Sequence, residues 1–393
     1  MRHSLGIKDT VKKNSMLIVL LATMLLFQVL ISSSGRGSLF APANISNLIS
    51  QNAYVVILAS GMLLCILTGG NIDLSVGSVV ALVGALAGTL IVNLHWNIYL
   101  SIVICLLAGL AIGAWQGFWI AYVRIPPFIT TLAGMLLWRG VALLILNGLT
   151  ISPFPAEYTR YFNSFLPNTE DGATIFSVTV FVGVVICLIY GTWTFFDRYT
   201  KKKKGYATEP LTITLTKVIL LSIAVLIVFS LLGRHKGVPV VLILLAIIVL
   251  GYSYFTARTV PGRHLYAMGG NEKAAKLSGI DTNRVLFFAY TNMGFLSAVA
   301  ALVGVARFNS AAPTAGTNYE MDAIGSCFIG GASAYGGTGT IGGAIIGAIF
   351  MGVLNNGMSI LGIDANWQKA VKGIVVLAAV AFDVISKKQV KSN

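Results

Sequence analysis

From Met16 onward, long apolar runs alternate with short polar connectors. A helix needs about 20 mostly apolar residues to cross a bilayer. Runs of that kind occupy 16–32, 78–94, 98–121, 127–147, 175–196, 212–233, 238–256, 285–307, 340–362 and 368–385. Two shorter runs, 52–69 and 321–334, contain or end in glycine pairs. Counting both gives about twelve segments by the same length rule. The pattern predicts an all-α polytopic membrane protein with 10–12 segments, some of them interrupted. One transmembrane domain over 1–393 is expected, built of two weakly related halves, with a polar loop at 259–284.

Composition strengthens this reading. Hydrophobic residues make up 56% of the 393 and charged residues only 10%, whereas soluble domains carry about a quarter charged. A soluble fold of this length has too little interior to hide so much apolar surface. The net charge of +14 does not point to nucleic acid. The basic residues stand in short runs between apolar stretches, as in loops facing the cytoplasm. Cys65, Cys105, Cys187 and Cys327 lie inside apolar segments without CxxC pairing, and His3, His95, His235 and His264 are scattered, so no metal ligand set is expected. The first run follows Lys12 and Lys13 but lacks a small-x-small exit, which favours an uncleaved helix over a signal peptide.

Charge placement predicts orientation. Arg2, Lys8, Lys12 and Lys13 precede the first run. Arg124, Arg198, Lys201 to Lys204, then Arg258, Arg263, Lys273, Lys276 and Arg284, and finally Lys387, Lys388 and Lys391 follow on the same side if crossings alternate. The opposite side holds few basic residues: Arg36, Arg160, Arg234 and Lys236. Both termini are therefore expected in the cytoplasm, with the protein in the cytoplasmic membrane (the inner membrane in a Gram-negative host).

The two glycine-interrupted stretches are the first functional signal. Gly69, Gly70, Asn71, Asp73, Ser75 and Gly77 lead into one apolar helix; Gly330, Gly331, Gly336 and Gly337 lead into another. Paired interruptions in two halves suggest broken helices lining a transport route. Backbone leaves the helix at membrane depth only where protein or water satisfies it. Gly343, Gly347 and Gly352 have the spacing of close helix packing instead. Asp73 and Arg139 are read as the deepest ionisable residues, and a charge there needs a partner or a wet cavity. Pairing between them is one reading. Capping of the helix that begins near Leu74 is the other for Asp73, and capping applies equally to Glu320 and Asp322.

The 259–284 loop is the second signal. Helix formers run from Glu272 to Leu277 and Gly279 stands ready to end them. On these residues the chain resembles the permease subunits of bacterial ATP-binding-cassette importers for monosaccharides, of the ribose, xylose and galactose or multiple-sugar type. The resemblance rests on Asn71 to Ser78, on Thr131 to Met135 with Arg139-Gly140, on Ala267 to Asn271 with Leu277 to Ile280, and on Met321 to Ile324 with Ile329 to Gly331 and Asn356-Gly357. It spans nearly the whole chain, and the extra apolar stretch between 175 and 233 looks most like the xylose or multiple-sugar kind.

That resemblance implies a cobalamin-importer-like (type II) permease fold, a homodimer, a separate ATPase subunit and an extracytoplasmic sugar-binding protein. Gly270, Asn271, Glu272, Ala274, Ala275, Ser278, Gly279 and Ile280 are the residues it implies for coupling to the ATPase. Asn71, Asp73, Ser75, Arg139 and Asp322 are the pathway candidates. No GxxxxGK[ST] phosphate loop occurs, so ATP and magnesium are expected on the partner ATPase and no cofactor on this chain. Related cargoes (nucleosides, autoinducer-type furanoses, branched-chain amino acids) and a proton-coupled carrier are the alternatives.

Overall fold

A computed structural model describes residues 15–206, Thr208 and 210–392. Arg2, Lys8, Lys12 and Lys13 lie outside the described residues. The chain is helical almost throughout. Helix α1 (Ser15–Ser33) is followed by α2 (Pro42–Gln51) and α3 (Ala53–Leu67), then α4 (Val76–Gly88) ending in a π-helical turn, Thr89–Asn93. Next come α5 (Ile98–Ala121), α6 (Pro127–Leu146), short α7 (Ala156–Asn163), α8 (Gly172–Lys203) and α9 (Leu211–Gly233). The second part holds α10 (Val240–Arg258), α11 (Val260–Gly270), α12 (Glu272–Leu277), α13 (Thr282–Phe308), α14 (Tyr319–Ile329), α15 (Ile341–Ile360) and α16 (Ala365–Ser392). The two-residue strands β1 (Phe165–Leu166) and β2 (Val238–Pro239) pair antiparallel between loops.

Ten membrane-length apolar helical stretches occur among the described residues, and this is an integral membrane protein. Nine of the ten long predicted runs recur with small boundary shifts; the run at 368–385 is helical, within α16, but is not among these stretches, because Lys369, Lys372 and Asp383 interrupt it. Three further differences have physical causes. The run at 52–69 is the second part of one 26-residue crossing, Pro42–Leu67. Its first part, α2, carries Asn44, Ser46, Asn47, Ser50 and Gln51, which hid it from an apolar criterion. Helix α14 has only 11 residues, too few to cross alone at 1.5 Å per residue. Helix α11 was not foreseen, because Pro261 and three glycines argue against a helix. The proline falls in the first turn, where its missing N–H costs nothing, and Thr259 caps that turn by accepting from Gly262 N–H.

The core lies around α3, which is buried along nearly its full length. Helices α13, α14, α15 and α10 surround it. Helix α5 packs closely on α13, where a Cβ on Gly109 would stand 2.6 Å from Gly294 O and one on Gly113 2.6 Å from Tyr290 O. Small residues drive such packing in lipid, because burying apolar side chains gains little there. Gly343 and Gly347 do the same for α15 on α14: a Cβ at Gly347 would lie 1.9 Å from Ser326 O. Gly352 abuts Asn52. The periphery is apolar and exposed, with Leu136, Leu144 and Phe196 facing outward.

Candidate functional site: a junction of broken helices

The two glycine-interrupted loops pack directly on each other. Helix α3 ends at Leu67, whose carbonyl accepts from Gly337 N–H across the junction at 3.1 Å. Gly70 has φ +77°, and a Cβ there would fall 2.0 Å from Ala334 O. A Cβ on Gly336 would lie 2.5 Å from Gly69 Cα. The loops thus satisfy each other's backbone where both helices stop, as irregular backbone at membrane depth requires. Gly330 abuts Gly343, and Gly331 at φ +87° turns the chain.

Helix α11 seats on this junction. A Cβ on Gly269 would be 1.8 Å from Leu67 O and 2.4 Å from Gly337 N, while Tyr266 Oη donates to Gly339 O at 2.9 Å. One glycine therefore touches both broken loops at once. The polar loop and the two interruptions, read separately in sequence, form a single structure.

Beyond α11 stands the short helix foreseen at Glu272–Leu277. Asn271 Oδ1 accepts from Ala274 N–H at 3.0 Å, and Gly279 at φ +87° ends the turn. Ala275 faces inward, while Leu277 is 90% exposed. Arg124, between α5 and α6, braces the element: it pairs with Glu272 Oε1 at 2.7 Å, donates to Thr282 Oγ1 at 3.2 Å and also bonds Asn283. Gly270, Asn271, Glu272, Ala274, Ser278 and Gly279 are exposed, and Ile280 is half-buried. Gly269 and Arg124 were missed, since tightness and long-range bracing have no local signal.

The pathway candidates separate into three settings. Asp73 Oδ1 accepts from Ser75 N–H at 2.8 Å and Ser75 Oγ–H at 2.6 Å, and Ser75 Oγ accepts from Gln116 Nε2 at 2.7 Å. Asp73 thus holds the turn that precedes α4 through Ser75, the residue at the N-cap position, and makes no cap bond to the helix itself. Asn71, half-buried, donates to Thr68 Oγ1 at 3.1 Å. Arg139 does not pair with Asp73. Its Nη1 donates to Ala315 O at 2.6 Å and Pro313 O at 3.2 Å, because the loop before α14 folds back onto the start of α4 and offers unpaired carbonyls. There a Cβ on Gly77 would meet Gly316 O at 2.1 Å and Glu320 Oε2 at 2.6 Å.

Asp322 is no cap either. Its carboxylate, 2% exposed, takes the Tyr54 hydroxyl at 2.6 Å and the Lys372 ammonium at 3.0 Å. Tyr54 stacks on Tyr319 with centroids 3.7 Å apart. Lys372, inside the run 368–385, was the legible but overlooked signal, since a charge there demands a partner. Replacing Asp73 by Ala should lower thermal stability in detergent by about 1 kcal/mol, whereas Asn, whose Oδ1 can accept the same two bonds from Ser75, should cost far less. Equal losses for both would make the charge the important property.

The chain matches the family described as "Branched-chain amino acid transport system / permease component" over residues 44–380, and it belongs to that family. Among curated proteins it is 36% identical to the xylose transport system permease protein XylH of Escherichia coli K12, covering 96% of this chain and 93% of that one. It is 36% identical to the ribose import permease protein RbsC of the same strain, over 93% and 92% of the two chains. The Bacillus subtilis 168 ribose import permease RbsC is 35% identical over 90% and 89%. No solved structure matches.

Proposed function

We propose that this chain is the membrane-spanning subunit of an ATP-driven importer for monosaccharides of the pentose kind. Similarity over nearly the full length to permeases named for xylose and ribose supports the substrate class. The seating of α11 on both broken loops, with exposed Leu277 just beyond, is the observation that carries the coupling role. A separate ATPase grips α12 through Leu277, Glu272 and Gly279, and motion of α11 passes through Gly269 to the two loops together. In this reading the basic face is cytoplasmic, both termini lie there, and two copies form the route, supplied from outside by a sugar-binding protein. Asp73, Ser75, Arg139 and Asp322 hold the half-helices that bound the route, and Asn71 faces it at the junction.

The test is co-expression with a candidate partner ATPase and sugar-binding protein, followed by labelled xylose and ribose uptake in proteoliposomes. Leu277→Glu should leave the permease inserted, abolish co-purification of the ATPase and stop uptake. A full-rate uptake without ATP, or in the variant, would refute the reading.

A further inference from the structure

We propose that the turn between α4 and α5, together with the start of α7, forms a binding site for the ammonium headgroup of an ethanolamine phospholipid. These segments enclose a cavity of about 310 Å³ lined by His95, Trp96, Asn97, Tyr99, Pro155 and Glu157. The Tyr99 and Tyr161 hydroxyls lie 2.6 Å apart, and Tyr161 Oη donates to Glu157 Oε1 at 3.5 Å. Aromatic rings and one carboxylate therefore share a single hollow. Among the described residues no cation pairs with Glu157. Helix α7 is anchored from below: Tyr158, fully buried, donates to Leu302 O at 2.8 Å, which fixes where Glu157 stands.

Each part alone has a simpler explanation. A carboxylate in the first turn of α7 suits the helix dipole, and exposed tryptophan and tyrosine are common at membrane surfaces. Neither accounts for their meeting in one cavity. A carboxylate without a cationic partner, set among aromatic rings, attracts an organic cation. Depth selects the source of that cation. Helix α5 has 24 residues, about 36 Å at 1.5 Å per residue, and Arg124 beyond its far end braces α12. The cavity at its start thus lies on the face opposite α12, one bilayer thickness away, at the level of lipid headgroups. Exposed Trp96 and Tyr99 mark the same level. A primary ammonium there donates to Glu157, and the phosphate that accompanies it needs donors of its own. Asn97 Oδ1 is taken by Tyr99 N–H and Leu100 N–H, which leaves the Asn97 amide N–H groups, with the His95 imidazole, for that role.

The full-length permease, purified in detergent, is titrated with phosphatidylethanolamine and with phosphatidylglycerol and read by native mass spectrometry. Glu157→Gln should weaken binding of the ethanolamine lipid about tenfold, and change that of phosphatidylglycerol, which has no ammonium, by less than about threefold. Trp96→Leu, which keeps every charge, should weaken the ethanolamine lipid alone, by at least about threefold. An unchanged affinity for the ethanolamine lipid in Glu157→Gln, or equal losses for both lipids, overturns the site. Should Glu157→Gln fail to fold, Trp96→Leu carries the same comparison, and the same two results overturn the site there. Displacement of the bound lipid by millimolar ethanolamine assigns the pocket to a free amine and overturns the lipid. Displacement by millimolar xylose assigns it to a sugar and overturns the ammonium.

Discussion

Lys372→Met should destabilise the permease by about 3–5 kcal/mol, the largest loss expected from any single side chain outside the glycines. The substitution leaves the Asp322 carboxylate, 2% exposed, with only the Tyr54 hydroxyl as partner. A lone charge in the membrane interior is far costlier than the pair. The partner change Asp322→Asn should cost less in the Lys372→Met background than in the parent, because there it removes the stranded charge. Thermal unfolding in detergent of the two single variants and the double measures the coupling. Additive losses would mean the pair contributes nothing through its charges. Because α14 is tied to α16 by this contact, the parent chain holds its half-helix by a bond that lipid does not weaken.

Gly269→Ala should abolish ATP-coupled uptake, while Gly270→Ala, one residue on, should leave it nearly intact. The added Cβ at 269 would stand 1.8 Å from Leu67 O and 2.4 Å from Gly337 N, and both neighbours are backbone that cannot rotate aside. Helix α11 must then lift from the junction, separating any motion of α12 from the two loops. At Gly270 nothing lies within 4 Å, and Ala is the better helix former. Proteoliposome uptake and ATPase rates of both variants check this. The expected signature at 269 is ATP hydrolysis that persists without transport. Equal rates for the two variants would remove α11 from the coupling route.

Much of this was legible before any contact was known. Lipid allows apolar residues on the outside, so the long runs reported spans directly, and Glu272–Leu277 announced a helix through its formers and its terminating glycine. Asp73 was legible as a residue with a local role at the start of α4, and its bonds do reach only to Ser75, although Ser75 stands at the N-cap position. Arg139 was misjudged as a partner for Asp73 because opposite sign and shared depth say nothing of direction. Its true acceptors are carbonyls of Pro313 and Ala315, which carry no charge to be read in a sequence. Gly269 was indistinguishable from Gly270 for a related reason: both are glycine in one run, and only the neighbour across the junction separates them.

By itself the sequence determined the solvent, the helices, the two interruptions and the polar loop, since each follows from hydropathy, length and local backbone preference. What only the tertiary structure decided is that the interruptions and the loop are one junction, with Leu67, Gly269 and Gly337 at its centre. Those residues lie some 200 and 70 positions apart along the chain. Their meeting is set by backbone carbonyls and amides that every residue possesses, so no side-chain pattern could encode it in advance.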